Sequence, residues 1–270
     1  MGLKIHWQDV WLKDVPLFPE LGEMWKGMDR LFKKVVDPDT SVSLAHVAKS
    51  GALIQYSYFE MLNDTYILDG IIKAGEKDFD AAVIGCCADP GLHQARSVMD
   101  IPVMASGESA MIVGQLIGRR FAMVTVGQEF VPIMEGNLRL LGLERRAIAN
   151  RPIRSFEMKM EDLIDCFKGK PDRIIDQFEA VARECIKDGA DVILAGCGYL
   201  GPALSLVDYS EIPGTGVPVV DGSAAALKLA EAMAGLKKSC SLKKSTSRSS
   251  IYASPPAKVL TSIRKNFGFV

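Results

Sequence analysis

Two short apolar segments that each end in Gly-Cys constrain the fold of this chain more than any other feature. Residues 79–86 read FDAAVIGC, and residues 189–197 read GADVILAGC. Unbroken apolar segments of this length are typical of parallel strands that are covered on both faces. A Gly/Pro turn and a helical segment follow each of them. The recurrence of this strand–turn–helix unit predicts two similar halves.

The rest of the chain alternates between strand and helix patterns in the same way. Apolar segments predict further strands at residues 3–7, 41–47, 102–105, 121–126 and 217–220. Helical periodicity predicts helices at residues 19–36, 59–74, 107–116, 129–141, 171–188 and 224–236, and a further helix opening at Pro90. Strands that alternate with helices form parallel, doubly wound sheets.

The alternation and the repeat together predict an α/β fold with two similar doubly wound parallel-sheet lobes. We expect pseudo-twofold symmetry, with the active site in the cleft between the lobes. The first lobe is expected to hold residues 1–104 plus 217–236, and the second to hold residues 105–216. Residues 237–270 begin with a Lys- and Ser-rich stretch, which predicts an extended C-terminal surface tail.

Composition and charge exclude several classes of protein. The 270 residues are 48% hydrophobic with a net charge of −1, so nothing indicates a nucleic-acid partner. No apolar run reaches the length of about 20 residues that a membrane helix needs. The first residues lack signal-peptide features, so we expect a cytoplasmic protein with reduced thiols. The adjacent Cys86 and Cys87 and three scattered histidines do not form a metal-binding pattern, so no metal is expected.

Cys86 and Cys197 are the candidate catalytic residues. Both follow the carboxyl end of a predicted parallel strand, where ligands bind in open α/β sheets. Core packing is the ordinary role of a single cysteine, but the equivalent position of these two favours a shared cleft. Cys87 is predicted to point away from Cys86 and to pack.

Four motifs resemble the aspartate/glutamate racemase superfamily, and within it the hydantoin racemase branch. They are CCADPGL at residues 86–92, IPVMASGES at 101–109, GADVILAGC at 189–197 and PVVDGSAAA at 218–226, with a similar tail at 245–256. The resemblance implies a cofactor-independent racemase, a homo-oligomer, that acts on a hydantoin-like or amino-acid-like small molecule through Cys86 and Cys197.

This chain departs from the family pattern at three places. Trp7-Gln8-Asp9 stands where members often carry Asn-Pro-Asn, Ala88 replaces a glycine, and Gly198-Tyr199 replaces a smaller pair. These departures fall on the expected substrate pocket. The full set of candidate substrate-binding residues is Gln8, Ala88, Asp89, Ser109, Thr125, Gly198 and Tyr199.

Three of these candidates have an equally ordinary structural interpretation. Ser109 could satisfy the backbone in the first turn of its helix, and Thr125 could simply fit a sheet. An Asp before Pro, such as Asp89, commonly builds a turn or caps a helix.

Inversion of a carbon centre would explain why the site needs two thiols. One thiolate removes a proton from one face of a carbon centre, and the opposite thiol delivers a proton to the other face. A decarboxylase or a cis-trans isomerase of the same superfamily would need only one of the cysteines and stays an alternative. A non-catalytic binding protein with two lobes is the remaining alternative.

Overall fold

The computed structural model describes residues 2–16, 18–50 and 53–269. It confirms the α/β class: two sheets, parallel except for one short edge strand, are enclosed by helices. The strands are β1 (Lys4–Gln8), β2 (Ser41–Ala45), β3 (Ala81–Ile84), β4 (Val103–Ala105), β5 (Phe121–Val126), β6 (Ile153–Phe156), β7 (Val192–Ala195), β8 (Glu211–Ile212) and β9 (Val217–Asp221). The α-helices are α1 (Leu21–Val35), α2 (Ser57–Gly75), α3 (Leu92–Val98), α4 (Ser106–Ile117), α5 (Val131–Leu140), α6 (Met160–Phe167), α7 (Asp172–Lys187), α8 (Leu200–Leu206), α9 (Gly222–Cys240) and α10 (Ala257–Asn266).

The two sheets repeat one topology. The first has the strand order β2-β1-β3-β4, and the second has β6-β5-β7-β9 with the antiparallel strand β8 added at its edge. Strands β3 and β7 occupy the same position in the two orders, and all of their residues are buried. The repeat that the sequence shows at these two strands is therefore a repeat of the whole four-stranded unit.

Two helices are exchanged between the sheets. Helix α4 begins directly after β4 of the first sheet but packs against β7 of the second, and α9 follows β9 of the second sheet but packs against β3 and β4 of the first. The two helices also pack closely against each other at their first residues, where the Ser106 and Ser223 hydroxyls lie 3.3 Å apart. The exchange ties the two lobes together at the centre of the molecule.

The exchange changes one expected boundary. We expected residues 217–236 to return to the first lobe as a unit. Strand β9 instead pairs with β7, with Ile193 opposite Val219, and only α9 lies on the first sheet. The physical reason is that the backbone N–H and C=O groups along the edge of β7 need hydrogen-bond partners. Strand β9 provides them, as β4 does for β3.

The C-terminal region also differs from the expected extended tail. Helix α9 continues to Cys240, and α10 forms after Pro256. The apolar residues Val259, Leu260 and Ile263 have helical spacing, and a proline at the start of a helix is favourable because its missing N–H has no intrahelical partner there. Among the described residues, no helix is long and apolar enough to cross a membrane.

Candidate active site

Cys86 and Cys197 reach one cavity from the two sheets. Each cysteine lies one glycine beyond the strand end, Cys86 after β3 and Cys197 after β7. Both are partly buried and free, and both line a cavity of about 360 Å³. The equivalent position of β3 and β7 in the two sheets is what brings both cysteines to the same cavity.

The two cysteine loops touch behind the cavity. A Cβ atom added at Gly198 would lie 2.4 Å from the Gly85 carbonyl oxygen and 3.3 Å from the Cα of Cys86. The Ser223 hydroxyl donates to the Gly198 carbonyl oxygen at 2.9 Å, which holds the second loop on the first turn of α9. The loops therefore approach as closely as a glycine allows.

The cavity wall is mainly apolar. None of the described lining residues has a charged side chain. The large apolar side chains of the wall come from the loops after β1, β2 and β6 and from segments around α5 and α6; they are Val10, Trp11, Phe18, Leu53, Ile54, Phe130, Met134, Met158, Met160 and Leu163. Such a wall binds an uncharged, apolar group.

The thiols differ in their electrostatic surroundings. Burial raises the pKa of both Cys86 and Cys197 above the ordinary thiol value. The backbone N–H groups of Tyr199 and Leu200 point to the sulfur of Cys197 and oppose the rise. One N–H group, that of Ala88, does so for Cys86, where nearby acidic groups add to the rise. The sulfur of Cys197 thus has two backbone donors that favour its thiolate, and the sulfur of Cys86 has one.

A buried hydrogen bond joins the two halves beside the thiols. The Tyr199 hydroxyl donates to Oδ1 of Asp9 at 2.7 Å, and the backbone N–H of Trp11 donates to the same oxygen at 2.8 Å. Burial raises the pKa of Asp9 to about 7. Asp9 and Tyr199 belong to two different stretches that depart from the family pattern, Trp7-Gln8-Asp9 and Gly198-Tyr199. The two departures are thus one interaction in space.

Six of the nine candidate residues line the cavity. They are Cys86, Ala88, Thr125, Cys197, Gly198 and Tyr199. The hydroxyl of Thr125 donates to the Gly196 carbonyl oxygen at 2.8 Å, so its proton is used within the second cysteine loop. A substrate can still contact its lone pairs or its methyl group.

Gln8, Asp89 and Ser109 do not line the cavity. The Gln8 amide is fully buried against His6 and donates to the Asp9 carbonyl oxygen at 2.9 Å. The Asp89 carboxylate accepts the N–H groups of Gly107 and Glu108, both at 2.7 Å, and so caps α4. Ser109 is buried within α4. Gln8 and Asp89 are thus held by structural hydrogen bonds, whereas the buried hydroxyl of Ser109 has no hydrogen-bond partner among the described residues. We do not propose these three residues as substrate contacts.

Sequence reasoning missed the apolar wall. Its residues lie in loops and helix ends that carry no motif, such as Phe130 before α5 and Met158 before α6. Single apolar residues in a loop give no signal that distinguishes a cavity wall from core packing. Cys87 behaves partly as expected: it is buried, its thiol donates to the Ala195 carbonyl oxygen at 3.8 Å, and it also borders the cavity.

The difference between the two thiols predicts their order of modification. Iodoacetamide reacts with the thiolate, so Cys197, whose sulfur faces two backbone N–H groups, is expected to react severalfold faster than Cys86, whose sulfur faces one, at pH 8. Because burial raises both pKa values, both rates should increase as pH rises from 7 to 9. Peptide mass spectrometry measures the rates, with the exposed Cys240 as the internal reference. Faster modification of Cys86 than of Cys197 would contradict the assignment.

Comparison with known proteins places the chain in a family. The model of the Asp/Glu/Hydantoin racemase family matches residues 23–230. The hydantoin racemase of Pseudomonas sp. (strain NS671) is 30% identical over 246 residues, which are 91% of this chain and 92% of that protein. The hydantoin racemase of Rhizobium meliloti is 33% identical over 196 residues, 73% of this chain and 77% of that protein.

Solved structures agree in fold. An allantoin racemase from Pseudomonas fluorescens superposes with a TM-score of 0.76 at 24% identity, covering 94% of this chain and 97% of that one. The family model and the hydantoin racemase relatives confirm the resemblance that the sequence motifs indicate. The chain belongs to the Asp/Glu/Hydantoin racemase family.

Proposed function

We propose that this protein racemises a hydantoin that carries a large apolar substituent, with Cys86 and Cys197 as the two acid–base groups. The observation that carries the proposal is that two thiols from equivalent positions of a repeated sheet line one apolar cavity. The relatives named hydantoin racemase support the same reaction.

The reaction needs one thiolate and one thiol at the start of each turnover. The Cys197 thiolate removes the proton from the carbon that bears the substituent, and the charge spreads onto the adjacent ring carbonyl as an enolate. The Cys86 thiol then donates its proton to the opposite face of that carbon. The product has the inverted centre, Cys197 is protonated and Cys86 is the thiolate, so the same protein then catalyses the reverse inversion with the roles exchanged.

The cavity favours a hydantoin over a free amino acid. An amino acid brings an ammonium and a carboxylate, and burying either without a charged partner is unfavourable by several kcal/mol. The described lining residues supply no such partner. A hydantoin ring has only amide groups, and an aromatic or branched substituent would pack against side chains such as Trp11, Phe130 and Met158. The same argument disfavours a malonate decarboxylase, whose substrate has two carboxylates.

The substrate proposal is tested with pure enantiomers in D2O. Loss of the α-proton signal and loss of optical activity are followed for 5-benzylhydantoin, the hydantoin of aspartate, allantoin and phenylalanine, each against a blank without protein. We expect 5-benzylhydantoin to have a kcat/KM at least ~10-fold above that of the others, as an apolar group in an apolar pocket predicts. A preference for the aspartate hydantoin, or turnover of phenylalanine alone, would contradict the proposal.

The remaining parts of the proposal concern cofactors and cellular context. We propose that the reaction needs no cofactor, since two thiols suffice for both proton transfers. All six cysteines are free, which supports a reducing compartment such as the cytoplasm. A homo-oligomer is supported by exposed apolar side chains at the start of α2, among them Tyr58 and Met61.

A further inference from the structure

The helices that follow the two cysteines are equivalent in position but differ in burial. Helices α3 and α8 each have seven residues and each begins shortly after its cysteine. Five residues of α8 are buried, whereas only Leu92 and Ala95 of α3 are. A helix of this length is not stable by itself and depends on tertiary contacts. Helix α3 therefore needs support that α8 obtains from its own core packing.

The C-terminal segment 241–269, here called the C-terminal strap, supplies contacts to α3. The Lys244 ammonium donates to the carbonyl oxygens of Arg96 and Ser97, at 2.8 and 2.9 Å, and to the Ser254 hydroxyl at 2.7 Å. Ser254 in turn donates to the Ser97 carbonyl oxygen at 2.8 Å. These bonds satisfy carbonyl groups in the last turn of α3, which have no partner within the helix. A cation at this end is also favoured by the helix dipole.

A second part of the strap contacts the first turn of α3. The Tyr252 ring stacks on the His93 ring with an interplanar angle of 10°, and the Tyr252 hydroxyl lies 3.0 Å from Nδ1 of His93. The strap continues onto α2, where Arg264 pairs with Asp69 at 2.5 Å. The strap thus contacts both ends of α3 and the neighbouring helix α2.

Helix α3 is connected in turn to the Cys86 loop. The Arg96 guanidinium makes a two-pronged ion pair with the Glu108 carboxylate, and its Nε donates to the Val103 carbonyl oxygen at 3.0 Å. The loop between Cys86 and α3 is closed by the Asp89 N–H, which donates to the Cys86 carbonyl oxygen at 3.2 Å. A shift of α3 would therefore move the backbone that holds the Cys86 thiol.

We propose that Lys244 and Tyr252 are positioning residues, which fix α3 and thereby the place of Cys86 relative to Cys197. Neither residue lines the cavity. The effect on turnover rests on the proposed function, whereas the effect on α3 and on the Cys86 thiol does not. The strap supports only the helix that follows Cys86. Helix α8, which follows Cys197, is already buried within the second lobe.

The first test measures hydrogen exchange in the full-length protein. Lys244→Met removes three hydrogen bonds. Tyr252→Phe removes the contacts of its hydroxyl with His93 Nδ1 and with the Arg96 side chain while keeping the ring. We expect amide exchange in α3 to be about fivefold faster in Lys244→Met and about twofold faster in Tyr252→Phe, with exchange in α8 unchanged. Lys243→Met is the matched control, because Lys243 is the exposed neighbouring lysine. Equal exchange in all variants, or a parallel rise in α3 and α8, would overturn the proposal.

The second test asks whether the effect reaches Cys86. In Lys244→Met the ratio of Cys86 to Cys197 alkylation by iodoacetamide should change about fivefold. Lys244→Arg keeps the positive charge and N–H donors, although in a planar group, and should restore part of the wild-type ratio. With a hydantoin that the wild type turns over, kcat should fall about fivefold with KM within twofold. An unchanged alkylation ratio beside faster α3 exchange would overturn the link to Cys86. If the wild type racemises no hydantoin, the proposed function fails, and the exchange and alkylation results still decide the role of the strap.

Discussion

Cys86→Ser and Cys197→Ser are each expected to lose net racemisation by ~10²–10⁴-fold while keeping solvent exchange of one enantiomer. In the proposed mechanism each thiolate reaches only its own face of the substrate. A serine hydroxyl is too weak an acid to provide the missing base near neutral pH. Cys86→Ser should therefore exchange the enantiomer whose proton faces Cys197, and Cys197→Ser should exchange the other. Deuterium incorporation into each pure enantiomer, followed separately, measures both effects.

The other cysteines provide the controls for this experiment. Cys240→Ser should match the wild type because Cys240 is exposed in the C-terminal region, away from the cavity. Cys87→Ser should stay within a few-fold of wild type if its thiol only packs against the Ala195 carbonyl. Full racemase activity in Cys197→Ser would rule out the two-base mechanism. It would favour the decarboxylase or isomerase alternative, in which one thiol suffices.

Gly107→Ala is expected to lower both stability and activity by large factors. A Cβ at this buried position would lie 2.2 Å from the Cys87 carbonyl oxygen and within 2.9 Å of both Asp89 carboxylate oxygens. The methyl group would push the Cys86–Cys87 backbone away from α4 and break the cap that Asp89 forms. We expect the free energy of unfolding to fall by about 2–4 kcal/mol. A displacement of about 1 Å at Cys86 should lower kcat/KM by about 10²-fold.

The matched control is Gly136→Ala in α5, where an added Cβ meets no atom within 4 Å. This substitution should leave kcat/KM unchanged and raise the free energy of unfolding by about 0.5–1 kcal/mol, because alanine favours the helix over glycine. Denaturant unfolding and steady-state kinetics are measured on both variants. A Gly107→Ala protein with wild-type kcat/KM would show that the cysteine loop does not depend on its contact with α4.

Local patterns in the sequence predict most elements and the position of both cysteines. Period and length distinguish strand from helix within a few residues, which is why the sequence predicts strands within residues 79–86 and 189–197, where the structure has β3 and β7. The carboxyl ends of parallel strands lie at one edge of a sheet, so a cysteine after each strand was predicted to reach a ligand site. The family resemblance rests on motifs that are themselves contiguous in sequence.

Only the tertiary structure decides which surfaces meet. The pairing of β9 with β7, the exchange of α4 and α9 and the seating of the C-terminal strap on α3 depend on contacts between residues far apart in the chain. The apolar wall comes from several loops, and the bond between Asp9 and Tyr199 joins two residues that no local pattern connects. Periodicity reports the environment of a side chain relative to its own element. Periodicity carries no information about which other element packs against that side chain. For this physical reason the cavity could be identified only in the folded structure.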